Sequence, residues 1–579
     1  MLLETSKWPC IRPDPYSYTS VMKALANSNR PDAAERCEVI LRHMWEQYTN
    51  EKLSASSSSA SPSSLCKPND VTYTTAIYCW SLAVDNPDAP LRAEALYKDM
   101  KERYQNGDNT LKPTIQVYVS LILAWAHSSR REGDVRAQFY FDLMRGQYLA
   151  GDDSLRPNDK VYRALIESKR KRNDGEGAEM TLNHMYDDYL THGNTGAIPT
   201  RFIFHGVMSA WVHSSSPDTY QRIESILNRM QQEYQVRKWD CKPNAVTYTI
   251  LLSCLAKIGT KDSAIRAEKV LRHMYDLSVT DDSVKPCNFS CTTVMQTWAN
   301  TIGVHEAPLR AQAIFNDMIR LSETPRGDIN IRPNSFTYNS LLTTWARSLH
   351  PDAGERSLSI LQEMERHHKL DPKSFAAPNH FHYTAVISAL ANKGDINNVE
   401  NLLQYMIDHR IRPHSGTLNS VLKAYSRSSL PDAVDRADKL LRTMEQKYSV
   451  VPNYVSYTTL VLCIQRSRRP DAYLRAKNVV NEMIQKSMSM GWTPSLSTGI
   501  NNHKADLLIP NIVTFATLIV ALRECCDANV DKIKELDQIK MLMQQMDVEP
   551  NTTVQKDMLK IRLSSTTADT TYNQSINQS

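Results

Sequence analysis

Five cations recur at one register of this 579-residue chain, each nine residues after a repeated anchor position: Lys171, Lys257, Arg347, Arg427 and Arg466. His127 and His213 hold the same place in their own segments. Cations repeated along one face suit contact with the phosphates of a nucleic acid, and a cation near a helix end complements the helix dipole whatever its function. No catalytic constellation accompanies them. The nearest cysteine pairs are Cys287/Cys291, spaced C-x-x-x-C, and the neighbours Cys525–Cys526; neither has a second pair at zinc-ligand spacing. The zinc-deaminase pattern, H-x-E with P-C-x-x-C, is missing. So are a P-loop and G-x-G-x-x-G. His43 and His367–His368 lie in charged stretches and belong to no catalytic or metal-ligand motif. The residues point to a binder rather than an enzyme, with no metal, cofactor or small-molecule substrate expected.

The elements that would carry these positions come from an internal repeat. A proline, often an Asn, and a short run ending in an aromatic recur as KPNDVTY to Tyr73, KPTIQVY to Tyr118, RPNDKVY to Tyr162, IPTRFIF to Phe204 and KPNAVTY to Tyr248. The series continues as RPNSFTY to Tyr338, APNHFHY to Tyr383, VPNYVSY to Tyr457 and IPNIVTF to Phe515, with weaker copies ending at Tyr18, Cys291 and Leu418. A second phrase, R-A-x-x-[IL]-[LF]-x-x-M, follows each and ends on a Met, from Met44 to Met483, with a degenerate copy at Met546. The anchor-to-Met distance is 26 residues in seven units and 23 in two, a register that chance would not hold over five hundred residues. Both phrases show apolar residues at helical spacing, as in Val246, Leu251, Leu252 and Leu255. Asn after Pro suits an N-cap. The second helix often opens with P-D-A, at Pro31, Pro351, Pro431 and Pro470, and this predicts proline in the first helical turn.

A helix pair cannot bury its apolar stripe alone, so a stack is required: an all-α solenoid of about twelve helix-turn-helix repeats, first helices on one surface and second helices on the other. Trp80, Trp125, Trp211, Trp298 and Trp345 share one apolar place in the first helices and read as core, as does the Met line. Lys169–Arg172 (KRKR) is a basic run that could touch phosphate, although a solvated helix end is the commoner meaning. Residues 1–12 form a short lead and 13–550 the array, with a Ser-rich insertion at 54–64 and a second insertion at 486–508. Residues 551–579 are a polar C-terminal segment, expected to be disordered from 564.

These units resemble the pentatricopeptide repeat family over about residues 12–550. The best copy, NHFHYTAVISALANKGDINNVENLLQYMIDHRIRP, shows the family's own 35-residue period; most others run 42–47, with about three extra residues between the helices and about six after the Met. The resemblance implies a right-handed superhelix that binds single-stranded RNA, one base per repeat, through the residue after the anchor aromatic and the residue after the next repeat's proline. In this sequence those are Thr19 with Asn69, Thr292 with Asn334 and Thr458 with Asn511, similar to the family's adenine readers. Asn339 with Asn379 and Asn419 with Asn453 are similar to its pyrimidine readers. Thr74, Thr249 and Thr384 hold the first position in three more units. Val119, Arg163, His205 and Ala516 depart from the pattern, and each Asn is also a good N-cap.

The residue two before the anchor is apolar in most units; Val71, Phe202, Val246, Phe289, Phe336, Phe381, Val455 and Val513 are those that the resemblance casts as base-stacking, with Tyr16 at the same place. Their other reading is as staples of the helix starts. Gln116, Lys160 and Gly416 interrupt the row. The recurrent cations become candidate phosphate contacts.

Composition bounds these readings. With 41% hydrophobic and 23% charged residues and only 17 Gly, the chain is neither disordered nor fibrous. No apolar run approaches the ~18–20 residues of a membrane span. A net charge of +5 permits nucleic-acid binding without arguing for it, and eleven scattered cysteines fit a reducing compartment. Met1–Trp8 lacks a signal-peptide pattern and is too short for an Arg-rich transit peptide. Two functions follow. One is a sequence-selective RNA adaptor in organelle RNA processing, stability or translation, placed in a mitochondrion or plastid by the resemblance alone, with possible protein partners in an RNA-processing or ribosomal complex. The other is a protein–protein interaction scaffold using the same surface.

Overall fold

The computed structural model describes residues 13–28, 30–55, 66–214, 216–323, 329–348, 350–372, 377–489, 508–525 and 531–563. Among these residues every regular element is helical. The lead at 1–12, the Ser-rich insertion beyond residue 55, residues 490–507 of the second insertion and the tail from 564 lie outside them.

Two compact units divide the chain, residues 1–258 with 269–286 and residues 259–268 with 287–579. In the first, α1 (Pro15–Ala26) pairs with α2 (Ala33–Ala55), α3 (Asp70–Leu82) with α4 (Ala89–Gln105), and α5 (Ile115–His127) with α6 (Gly133–Leu149). The pairs α7 (Asp159–Lys171) with α8 (Gly175–His192) and α9 (Arg201–His213) with α10 (Thr219–Arg237) follow, then α11 (Ala245–Ile258) and the C-terminal part of α12 (Lys261–Ser278). The second unit holds α13 (Asn288–Asn300) with α14 (Ala307–Ser322), α15 (Ser335–Arg347) with α16 (Ala353–Leu370), and α17 (His380–Lys393) with α18 (Ile396–Asp408). It ends with α19 (Ser415–Arg427) and α20 (Ala433–Tyr448), α21 (Tyr454–Arg466) and α22 (Ala472–Ser489), and α23 (Ile512–Glu524) and α24 (Lys532–Gln545). Within each unit successive first helices pack side by side, and each second helix is wedged between its own first helix and the next. This is the α-solenoid arrangement the repeat requires.

The two phrases meet in the core. Anchor residues Tyr18, Tyr73, Tyr118, Tyr162, Phe204, Tyr338 and Phe515 are buried, as are the Met residues from Met44 to Met546. Burial also pushes the phenols of Tyr73, Tyr118, Tyr162 and Tyr383 up, so each stays protonated. They donate to polar side chains, as Tyr118 does to Gln147 at 3.0 Å and Tyr383 to Glu365 at 2.7 Å. The tryptophan row is core too, and three of its indole N–H groups donate to a Glu of the preceding second helix. Trp80 donates to Glu38 at 3.2 Å, Trp211 to Glu179 at 3.1 Å and Trp298 to Glu268 at 2.9 Å, each Glu on the preceding second helix. The motif Arg of the next second helix reaches the same carboxylate: Arg92–Glu38 at 3.5 Å, Arg222–Glu179 at 3.7 Å and Arg310–Glu268 at 3.4 Å. One Glu thus joins two repeats. At Trp125 the device is incomplete: its indole N–H has no partner, while Glu94 turns to Lys98 at 2.7 Å.

The residues that lengthen the repeats also have a structural purpose. After the Met helix, short 3₁₀ turns at Asn109–Leu111, Asp153–Leu155, Thr195–Ala197, Asp282–Val284 and Ile329–Ile331 fill the step to the next repeat. Each turn buries its last residue: Leu111, Leu155, Ala197, Val284 or Ile331. Asp108, Asp152 and Asp281 cap three of these turns and bind the lysine of the preceding repeat's K-P, with Lys67–Asp108 at 2.7 Å and Lys112–Asp152 and Lys242–Asp281 both at 2.8 Å. Leu155→Ala is expected to cost about 2–5 kcal/mol, read from the urea unfolding midpoint, because the turn has nothing else to plug that gap.

Three sequence expectations change. Proline of P-D-A lies outside the helix: α2, α16, α20 and α22 begin at Ala33, Ala353, Ala433 and Ala472, two residues after it. Asp stands at the N-cap without capping through its side chain at Asp352 and Asp432, and Asp432 instead pairs with Arg436 at 2.7 Å. Helix α22 runs to Ser489, so the second insertion starts later than 486, and Lys486 binds Glu445 at 2.7 Å from within the helix. Finally, residues 552–563, placed in the polar segment, form α25. Asn551 caps it through the Val554 amide at 3.0 Å, and Val554, Met558 and Ile561 are buried. An apolar stripe on an otherwise polar segment decides its state.

Candidate nucleic-acid interface

On each first helix the singled-out residues occupy fixed places counted from its start: the Asn or its substitute is the N-cap, the apolar residue N2, the anchor N4, the residue after it N5 and the cation N13. N2, N5 and N13 fall on one stripe, whereas N4 points into the core.

The caps are satisfied by their own helix. Asn69 accepts from the Thr72 amide at 3.0 Å, Asn334 from Thr337 at 3.0 Å, Asn453 from Ser456 at 3.1 Å and Asn511 from Thr514 at 3.0 Å. Asn379 accepts from the Phe381 amide at 3.0 Å. Each Oδ1 is committed to a helix start, which leaves Nδ2 as the group a ligand can use. Asn334→Ala is expected to cost about 1 kcal/mol in unfolding free energy while Asn334→Ser costs a few tenths, because Ser also caps.

N5 threonines donate back to the first turn, as Thr19 does to Pro15 and Thr249 to Ala245, both at 2.7 Å, and Thr74 to Asp70 at 2.6 Å. In three other repeats the N5 oxygen meets the N3 hydroxyl of the next repeat, a residue not singled out from the sequence. Thr292 meets Thr337 at 2.9 Å, and Thr384 meets Thr417 and Thr458 meets Thr514, both at 2.7 Å. Thr337 and Thr514 in turn donate to Asn334 and Asn511, both at 3.1 Å. The pairs Thr292/Asn334 and Thr458/Asn511 are therefore joined through one hydroxyl. Asn419 and Asn453 touch directly at 3.2 Å. Asn339 and Asn379 are not joined; Asn379 donates to Ser335 at 3.3 Å instead. Thr19 and Asn69 have no such bridge. A signal existed in the sequence: the residue before the anchor is Thr or Ser in VTY, FTY, VSY and VTF.

The N2 row is open to solvent. Phe289 is 63% exposed, Phe336 77% and Phe381 52%, and Tyr16, Val71, Phe202, Val246, Val455 and Val513 are exposed as well.

The N13 cations reach across the repeat. Lys257 donates to the Val212 carbonyl at 3.0 Å, Arg347 to Ala299 at 3.2 Å, Arg427 to Asn392 at 2.9 Å and Arg466 to Ser426 at 3.2 Å. His127 bonds the Ser81 carbonyl at 3.0 Å. Each partner carbonyl closes the preceding first helix, so the row caps neighbours' C-termini and stays exposed while doing so. Lys171 is exposed and in no ion pair. The rest of its basic run is engaged: buried Lys169 binds Asp134 at 2.7 Å, Arg170 binds Glu167 at 2.6 Å and Arg172 donates to the Arg130 carbonyl at 3.1 Å. That corrects the reading of the run as a solvated end.

Among the described residues no group of three or more His, Cys, Asp or Glu could hold a metal ion, and no helix is long and apolar enough to cross a membrane. Cys287 is the N-cap of α13, and Cys291 is its buried anchor.

Residues 340–472 match the family model described as pentatricopeptide repeat-containing protein. The chain is similar to pentatricopeptide repeat proteins. Relatives in Arabidopsis thaliana carry the same name. A chloroplastic pentatricopeptide repeat-containing protein is 23% identical over 240 residues, 38% of this chain and 30% of the relative. A mitochondrial one is 25% identical over 160 residues, 24% of this chain and 21% of the relative. A putative one is 28% identical over 125 residues, 22% and 16% of the two chains. The chain thus spans less than a third of the length of these relatives. Among solved structures, the pentatricopeptide repeat protein PPR10 from maize aligns at a TM-score of 0.45 and 18% identity, over 98% of this chain and 85% of the other. PPR10 in complex with an 18-nt psaJ RNA element aligns at 0.44 and 15% identity, over 96% and 78%.

Proposed function

We propose that this chain is a pentatricopeptide repeat protein, a sequence-selective single-stranded RNA-binding adaptor without catalytic activity of its own, meeting one base per repeat. The observation that carries this reading is the coincidence, on several first helices of the second unit, of an exposed apolar N2 side chain beside a prearranged N-cap, N3 and N5 polar cluster. Flat apolar surface stacks on a base face, and fixed polar groups meet its edge. A committed Oδ1 makes Asn an Nδ2 donor, and a Thr hydroxyl that has given its proton to the backbone is an acceptor. Free N–H groups of the N13 cations supply phosphate contacts. We place the adaptor in organelle RNA processing, stability or translation; the chloroplastic and mitochondrial names of relatives support that setting at low identity.

The test is selection from a random RNA pool with the purified chain, followed by titration at two salt concentrations. An enriched motif lost on Asn339→Ala with Asn419→Ala is the expected result. Asn334→Ser separates the two duties of a cap: it is expected to hold the melting temperature and lose the base preference of its repeat, since it keeps the acceptor and removes the amide donor. Absence of enrichment, with weak binding that vanishes as salt rises, would favour a protein scaffold.

A further inference from the structure

Three consecutive repeats in the first unit lack the parts the others share. At N5 stand Val119, Arg163 and His205. Val119 is buried and has no polar group. Arg163 pairs with Asp159 at 3.2 Å and lies over the Phe202 ring at 4.8 Å, and that ring stays largely exposed. His205 is held down at a pKa of about 4 by burial, and its Nε2 is bonded to Thr247 at 2.7 Å. The N3 hydroxyls are missing as well: these helices carry Val117, Val161 and Ile203, all buried. Thr114 and Thr200 do not cap through their side chains, and the Thr200 hydroxyl is buried without a partner. Two of the three N2 positions are Gln116 and Lys160. Lys160 and Lys171 are exposed and in no ion pair.

From this we infer that α5, α7 and α9 form a sequence-blind clamp within the RNA path, gripping phosphates through Lys160 and Lys171 and offering the Arg163–Phe202 plate to any base. The inference rests on the RNA reading of this face. A buried Val, an imidazole engaged by its neighbour and a guanidinium engaged by a carboxylate and a ring leave no free edge-reading group at N5, whereas a phosphate contact needs only charge. The selected motif should therefore contain three adjacent positions without base preference, flanked by positions that have one.

Selection and titration with three forms of the full chain test this. The unaltered chain is expected to give the three-position gap. Val119→Thr with Val161→Thr installs the hydroxyl pair seen at Thr292 and Thr337 beside the existing Asn158, and is expected to create a preference of about fivefold or more for one base inside the gap. Lys160→Ala with Lys171→Ala, both on exposed side chains, is expected to weaken every sequence equally and to flatten the dependence of log K on log salt by about 1.4, the value for two single-strand phosphate contacts. Preference running through all positions, or an unchanged gap in the folded Val119/Val161 variant, would overturn the clamp and leave RNA binding intact. So would an unaltered salt slope in the lysine variant. No binding by any form would overturn both.

Discussion

Replacing Phe289, Phe336 and Phe381 together by alanine is expected to weaken RNA binding by about a hundredfold or more, with no change in the unfolding midpoint. Stacking contributes ~1–3 kcal/mol per base, so three lost platforms remove roughly 3 kcal/mol at the least, which is about two decades of affinity. Stability should hold because all three rings stand in solvent and fill no core space. The same triple substitution separates this face from the cation row, whose guanidinium and ammonium groups also cap neighbouring helices; Arg347→Ala is expected to lower both stability and affinity, since it also frees the Ala299 carbonyl. Filter binding or fluorescence anisotropy at two salt concentrations, beside urea unfolding, reads both quantities. Unchanged affinity in the triple variant would remove the stacking role from the N2 row.

Trp298→Ala is expected to destabilise the second unit by about 3–5 kcal/mol, the range for truncating a large buried aromatic. Trp298 is 1% exposed and its N–H is bonded to Glu268 at 2.9 Å. Glu268 also pairs with Arg310 at 3.4 Å, so the deletion opens a cavity and loosens a joint between repeats at once. Trp298→Phe separates the two effects: it keeps most of the volume, loses the hydrogen bond and should cost about 1 kcal/mol from that bond plus a smaller packing loss. Urea unfolding followed by circular dichroism measures both. Because stability in a repeat array is a sum of repeat and neighbour terms, the alanine variant should also broaden the transition as its repeats uncouple from the others. An alanine variant as stable as the parent would mean that this row is not core.

Much of the fold was legible because helical periodicity is written in apolar spacing. The anchor aromatics, the Met line and the five tryptophans all lie in the core as their spacing implied. The Glu after Arg-Ala was visible as a letter, yet its partners Trp298 and Arg310 are 30 and 42 residues away from Glu268, beyond any local pattern. The connections were legible as length only. That Leu155 or Val284 would turn inward on a 3₁₀ step depends on the gap that neighbouring repeats leave. The N3 hydroxyls stood in plain view before each anchor, but nothing in one repeat says that its threonine reaches the next repeat's cap.

What the sequence by itself determined is the repeat, its two helices and the stripe on which Phe336, Asn339 and Arg347 must lie, because each follows from periodicity along a single helix. Tertiary structure alone decided how those residues are employed. It aims Arg347 at the carbonyl of the preceding first helix, leaves Phe336 bare, and sets Arg163 beside Phe202. The reason is physical: hydrogen bonds and burial are settled between neighbours, and the neighbours of a repeat lie some forty residues away in the chain.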